Sequence, residues 1–281
     1  MVKKSERKTN IIKIKKKLNQ KEFLDKLSHP LVVSKKIYSS KNNKFEILLT
    51  SKRLKKLRKS IISNSDDFVS FMRSVISFAE HPMNAGNHYH LGIVNMPCCK
   101  PGLIAKLKGN ILTYAKKAGF VVVIVGDKSI ARTKYKIPRM LQNMNVHINY
   151  KDRSGKIIKL PVSQNDLLVL EGKKTRVFLD AQARPIYIST LKRFVRRQNQ
   201  ITDDELIELW RKPMELCKSK DIIDCRINNG GFQNIAHLHL KIKIKPYIFK
   251  KKNLSNPAYI KIVNARKTRN ARKTHNARKT L

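Results

Sequence analysis

The chain has 281 residues, 41% of them hydrophobic, and 62 Lys+Arg against 19 Asp+Glu give a formal net charge of +43. The apolar share suffices for one or two packed cores, and the charge points to polyanionic partners. Four cysteines without CxxC spacing argue against a structural zinc framework, and no apolar run reaches the ~18 residues of a membrane-spanning helix.

The charge is concentrated at the ends. Residues 1–65 hold 20 basic and 4 acidic residues, and residues 245–281 hold 12 basic and none acidic. Both ends read as polycationic, partly disordered arms that attract DNA or RNA through counterion release, without sequence preference. An anionic membrane surface would be attracted in the same way. Lys52-Arg53-Leu54-Lys55-Lys56-Leu57-Arg58-Lys59 is compatible with a nuclear import signal. With no apolar core of signal-peptide type at the start, the expectation is an intracellular protein of the nucleus or cytoplasm.

Residues 1–65 are expected to form a basic arm, with a short apolar patch at Phe45–Leu49 and a basic amphipathic helix over Ser51–Ile62. Residues 66–150 read as a small α/β unit. Helical spacing runs from Phe68 to Ala79, followed by a strand over His88–Val94. Pro101 opens and Gly119 stops a helix over Leu103–Ala118, and Phe120–Val125 is a continuously apolar strand. A second unit covers residues 151–246. Its strands are expected at 157–162, 167–170, 175–179 and 186–191, before a helix whose capping box is Thr202-Asp203-Asp204-Glu205. Pro213 should kink or divide that helix. In the tail, 247–281, Asn-Ala-Arg-Lys-Thr recurs at a period of six, which is low complexity and too polar for a solenoid. The predicted class is α+β: an antiparallel sheet with helices, preceded by the small α/β unit and flanked by basic disordered arms.

The chemistry is densest in Asn228-Asn229-Gly230-Gly231-Phe232-Gln233-Asn234-Ile235-Ala236-His237-Leu238-His239-Leu240-Lys241-Ile242. Strand alternation would set His237, His239 and Lys241 on one side and Leu238, Leu240 and Ile242 on the other. The Gly- and Asn-rich turn before them supplies N–H donors for an anion. Two histidines on a strand are more often interior hydrogen-bonding groups, but the Asn-x-Gly turn and Gln233-Asn234 weigh toward a site.

Strands at 167–191, the pair Leu179-Asp180, the capped helix, Asn229-Gly230-Gly231, Gln233 and His237-Leu238-His239 together resemble the histidine triad (HIT-like) superfamily over about residues 155–246. The resemblance implies that His239 attacks a nucleotide α-phosphorus to form a nucleotidyl-histidine, which water or another acceptor resolves, and that His237 orients it. It further implies substrate contacts from Asn229, Gln233, Asn234 and Lys241, no cofactor or metal, a nucleotide or nucleic-acid phosphate as substrate, and compatibility with a homodimer. Two positions depart from the pattern: Lys241 replaces the third histidine, and Ile186 or Tyr187 stands where the preceding strand often carries another.

Two other readings are open. His88-Tyr89-His90, following Glu80-His81, matches the strand of His-hydrophobic-His endonucleases, in which two histidines hold a divalent metal and a tyrosine, here Tyr114 or Tyr135, attacks DNA. Alternatively the chain is a non-catalytic nucleic-acid-binding protein with a degenerate HIT-like fold, and residues 128–134 form a phosphate-binding edge.

Overall fold

The computed structural model describes residues 20–37, 44–82, 84, 86, 88–127, 143–151, 157–233 and 235–279. Runs of Val, Ile, Leu and Tyr, punctuated by Gly, Asn and Pro, become the strands β1 (Leu31–Ile37), β2 (Lys44–Ser51), β3 (Tyr89–Asn95) and β4 (Phe120–Asp127). There follow β5 (His147–Lys151), β6 (Ile157–Ser163), β7 (Leu168–Glu171), β8 (Thr175–Leu179), β9 (Ile186–Leu191), β10 (Ile222–Asn229) and β11 (His239–Ile244). Helices among the described residues include α1 (Leu57–Ser63), α2 (Ser65–Glu80), α3 (Pro101–Lys106), α4 (Gly109–Ala118), α5 (Asp203–Met214), α6 (Pro246–Asn253) and α7 (Pro257–Lys279). The class is α+β, as expected.

Nine strands form one sheet in the order β1-β2-β4-β3-β10-β11-β9-β8-β7, with every neighbouring pair antiparallel. The strands β5 and β6 pair separately. Read inward from the two sides, β1-β2-β4-β3 and β8-β9-β11-β10 repeat one arrangement. Each half has two sequential strands, a helix (α2 or α5), an innermost strand, and a last strand inserted beside it. The innermost strands join the halves in a ladder from Asp224 opposite Val94 to Asn229 opposite Tyr89.

The two faces of the sheet differ because alternate residues differ. Ile47, Leu49, Leu91, Ile93, Val122, Ile124, Cys225, Ile227, Leu240 and Ile242 are fully buried on one face. They share a core with Phe68, Phe71, Met72, Val75 and Phe78 of α2 and with Leu206, Leu209 and Trp210 of α5. Phe68 meets Trp210 edge-on with ring centroids 5.6 Å apart, which ties the two helices together. Each such buried side chain contributes about 1.5–3 kcal/mol of transfer free energy. On the opposite face, α4 covers only the first half, where Ile111 and Ala115 pack with Leu48 and Val121. Over β10 and β11 that face is polar, carrying Asp224, Arg226, Asn228, His239, Lys241 and Lys243, with His90 of β3 and Thr190 of β9 alongside and Ile186, Ile188 and Val94 at its margins.

Several elements differ from their sequence reading. Residues 31–37 and 44–51, assigned to the basic arm, supply β1 and β2, because Ile47 and Leu49 bury completely. The helix expected over 103–118 breaks into α3 and α4, with Gly109 at φ 56 restarting it after the buried Leu107. The strands β3 and β4 run antiparallel although helices intervene. The basic helix begins at Leu57 rather than Ser51, and Pro213 lies one residue from the end of α5, where it does not divide the helix. Part of the repeated tail is helical in α7. Tyr135, Asn234 and the 128–134 edge lie outside the described residues. Among the described residues no helix is long and apolar enough to cross a membrane.

Candidate active site on the open face of the sheet

The strand β11 carries His239 opposite Thr190 of β9 and Lys241 opposite Ile188. On its other side Lys241 faces Arg226 of β10, and Asn228, two residues on from Arg226, comes level with His239. In turn Asn228 is paired with His90 of β3, and Arg226 with Gly92. Residues directly opposite in a ladder share a face. His90, Asn228, Arg226, Lys241 and His239 therefore form one array spanning three strands, with side-chain-free Gly92 leaving room beside Arg226.

His239 is half-buried, and its Nδ1 lies 2.9 Å from the carbonyl oxygen of His237. A carbonyl can only accept, so Nδ1 carries the hydrogen and Nε2 keeps its lone pair. Burial, reinforced by the neighbouring Lys241 cation, pushes its pKa down to about 4, so the ring is neutral at physiological pH. These are the tautomer and charge state that a nitrogen nucleophile needs.

His237 is placed differently from the strand reading. It precedes β11 and is 1% exposed, as buried as its apolar neighbours. Its Nδ1 accepts from the Val195 N–H at 3.3 Å, and its Nε2 donates to the Leu191 carbonyl at 3.0 Å. Phe194 stacks on it with ring planes 16° apart and centroids 6.0 Å apart. Both nitrogens are used, and burial lowers its pKa. What His237 offers the array is its carbonyl oxygen, which fixes the His239 ring.

Lys241 and Arg226 set like charges directly across a ladder, an arrangement that costs stability unless an anion lies between them. The Lys241 pKa is lowered by burial first, and then by repulsion from Arg184 and Arg226 against the attraction of Asp180. That aspartate is itself engaged: Arg184 Nη2 and Nε donate to it at 2.5 and 2.9 Å, closing the β8–β9 turn. The carboxylate of the array's β10 row, Asp224, sits opposite Lys243.

The other expected site residues separate. Asn229 is fully buried and pairs with Tyr89, so its side chain lies on the face away from His239. Gln233 is 2% exposed, and its Nε2 donates to the Arg196 carbonyl at 2.6 Å, anchoring the turn before the histidines. In place of Asn229, its neighbour Asn228 reaches the open face. Arg226, Asn228 and Gly92 were missed from sequence, yet counting by twos from buried Ile227 puts Arg226 and Asn228 on the polar side.

The metal-site constellation around His88 is dispersed. His88 Nδ1 accepts from the Gly231 N–H at 2.8 Å, bracing the turn at Gly230, whose φ is 59. Glu80 accepts from Tyr89 Oη at 3.2 Å and from Asn199 at 3.0 Å, and Tyr89 belongs to the opposite face from His90. Among the described residues no three His, Cys, Asp or Glu side chains gather as metal ligands. Tyr114 lies on α4, half-buried over the first half of the sheet.

No known family's sequence model matches the chain, and no curated protein matches it. Solved structures similar to it include a uridylyltransferase mutant, 14% identical, covering 77% of this chain and 75% of that chain with a TM-score of 0.43. A second uridylyltransferase is 11% identical over 76% of this chain and 72% of that chain, with a TM-score of 0.40. A Plasmodium falciparum diadenosine triphosphate hydrolase, in complex with Cyclomarin A, is 14% identical over 45% of this chain and 84% of that chain, with a TM-score of 0.25.

Proposed function

We propose that the protein is a HIT-like enzyme that hydrolyses or transfers a nucleotidyl group, with His239 as the nucleophile. The observation that carries this reading is His239 itself: neutral, with Nδ1–H tied to a backbone carbonyl and Nε2 bare, on a face whose next residues are cations. An α-phosphate between Arg226 and Lys241 relieves their repulsion and places phosphorus beside Nε2. Attack forms the P–N bond and expels the leaving group. Water or another acceptor then breaks that bond and returns the electron pair to Nε2. Lys241, in the position of the family's third histidine, holds charge on the phosphoryl oxygens without relaying a proton. His237 acts as a positioning residue. The basic ends, and the cationic residues beside the site, suit a substrate attached to DNA or RNA.

The test is incubation with α-labelled adenosine and guanosine phosphoramidates, dinucleotides and adenylylated nucleic-acid ends. Label should be trapped on the protein and absent from His239→Ala. Turnover undiminished in that variant refutes the assignment. No turnover, together with tight and salt-sensitive binding of nucleic acid, would instead establish a binding module on the same fold.

A further inference from the structure

With Lys241, like Arg226 across the ladder from it, held to the phosphoryl oxygens, the second histidine on this face is the neutral imidazole placed to exchange a proton with the departing atom. We propose that His90, contributed by the other half of the sheet, is the catalytic acid and base that serves the leaving group and the attacking acceptor. The inference rests on the reading of His239 as nucleophile.

His90 and His239 flank Asn228 on consecutive strands of one face. Two strand spacings separate their backbones, about 9.6 Å. A near-attack contact of ~3 Å at one ring and a hydrogen bond of ~2.8 Å at the other leave space between for one phosphoryl group. The His90 ring is also held for the purpose. Its Nδ1 lies 3.1 Å from Asn228 Oδ1, an acceptor, so Nδ1 carries the hydrogen and Nε2 is the exchangeable position. Phe232, from the turn before the histidine strand, packs against it with ring centroids 5.5 Å apart. In the free protein, burial and then the charges of Arg226 and Lys241 hold this histidine neutral. A bound phosphate offsets both cations, so the proton is taken up with the substrate, where it is used.

The balance is complete. His239 Nε2 donates its pair to phosphorus as the bond to the leaving atom breaks, and that atom takes the proton from His90 Nε2. The neutral His90 then accepts a proton from the incoming water or hydroxyl, which attacks phosphorus while the P–N bond returns its pair to His239.

The experiment compares two substrates of one nucleotide in His90→Gln, which keeps a polar side chain but holds no transferable proton. The p-nitrophenyl ester of adenosine 5′-phosphate loses a stable phenolate and needs no acid, whereas adenosine 5′-phosphoramidate must protonate its nitrogen. Leaving-group release is read in a single turnover with enzyme in excess, before the shared second step. His90→Gln should slow release from the phosphoramidate by ~10²-fold or more and p-nitrophenolate release by less than about tenfold. An equal loss on both substrates, or no loss on either, overturns the role of His90 while leaving His239 in place. If the unmodified protein releases nothing from either substrate, or His239→Ala releases as much, the nucleotidyl-histidine reading falls and this inference with it.

Discussion

At the scale of single residues, the two histidines of His237-Leu238-His239 are told apart by what their nitrogens have left to do. His237 spends both on backbone groups, so replacing it leaves a buried N–H and a buried carbonyl unpaired at about 1–3 kcal/mol each. His237→Ala should therefore lower the urea midpoint as well as any activity, whereas His239→Ala should remove activity with a small effect on stability. Lys241 contributes to the low pKa of His239, second only to burial. Removing its charge in Lys241→Met should move the His239 titration, followed by NMR, upward from about 4. A nucleophile must be neutral, so the acid limb of any pH–rate profile should move up with it. An unmoved titration would place the Lys241 ammonium away from the ring. The motif read His237 as orienting His239 and Asn229 as a substrate contact, without showing that His237 would spend both ring nitrogens on backbone groups. Strand parity had the right period, but His237 stops one step before the strand begins, and Asn229 rather than Asn228 was taken as facing the site.

At the scale of elements, local chemistry spoke most clearly where it was self-contained. The Thr202 hydroxyl accepts from the Glu205 N–H at 3.3 Å, and Glu205 accepts the Thr202 N–H at 2.8 Å, the reciprocal cap expected from sequence. Arg193 donates twice to the same carboxylate, and together these bonds hold its pKa down to about 2. Thr202→Ala should cost ~1 kcal/mol in denaturant unfolding. Gly119 likewise stops α4 at φ 70, where its amide donates to the Ala115 carbonyl at 2.8 Å. Gly119→Ala forces a Cβ into the left-handed region and should also destabilise by ~1 kcal/mol. The strands at 175–179 and 186–191 were read with their observed limits. The split of the 103–118 helix escaped because periodicity continues across Lys108–Gly109, while the break is made by burying Leu107 under the sheet.

At the scale of the whole molecule, four histidines have lowered pKa values, His29 and His237 buried and His90 and His239 half-buried, the latter two at about 4. In the unfolded chain they titrate near ~6.5. Between those values the unfolded state binds more protons, so stability is full above about pH 6.5 and falls as the pH drops toward 4. Unfolding free energies from urea titrations at pH 7.5 and 5.0 should differ by an amount on the order of a few kcal/mol. The double variant His90→Gln/His239→Gln should reduce that difference; a midpoint independent of pH over this range would contradict the burial of neutral imidazoles.

By itself, the sequence determined the class of the fold, the second half's strands at 175–179 and 186–191 and its capped helix, and the strand that carries His239. Those features follow from periods, caps and turns that operate over a few residues. Only the tertiary structure decided that β1 and β2 complete a nine-stranded sheet, that β3 lies against β10, and that His90 therefore shares a face with His239. Pairing between strands more than a hundred residues apart leaves no local pattern, because its register is set by which faces bury on α2 and α5. The charge of Arg226 beside Lys241 was visible in the composition, but its placement across one ladder was not.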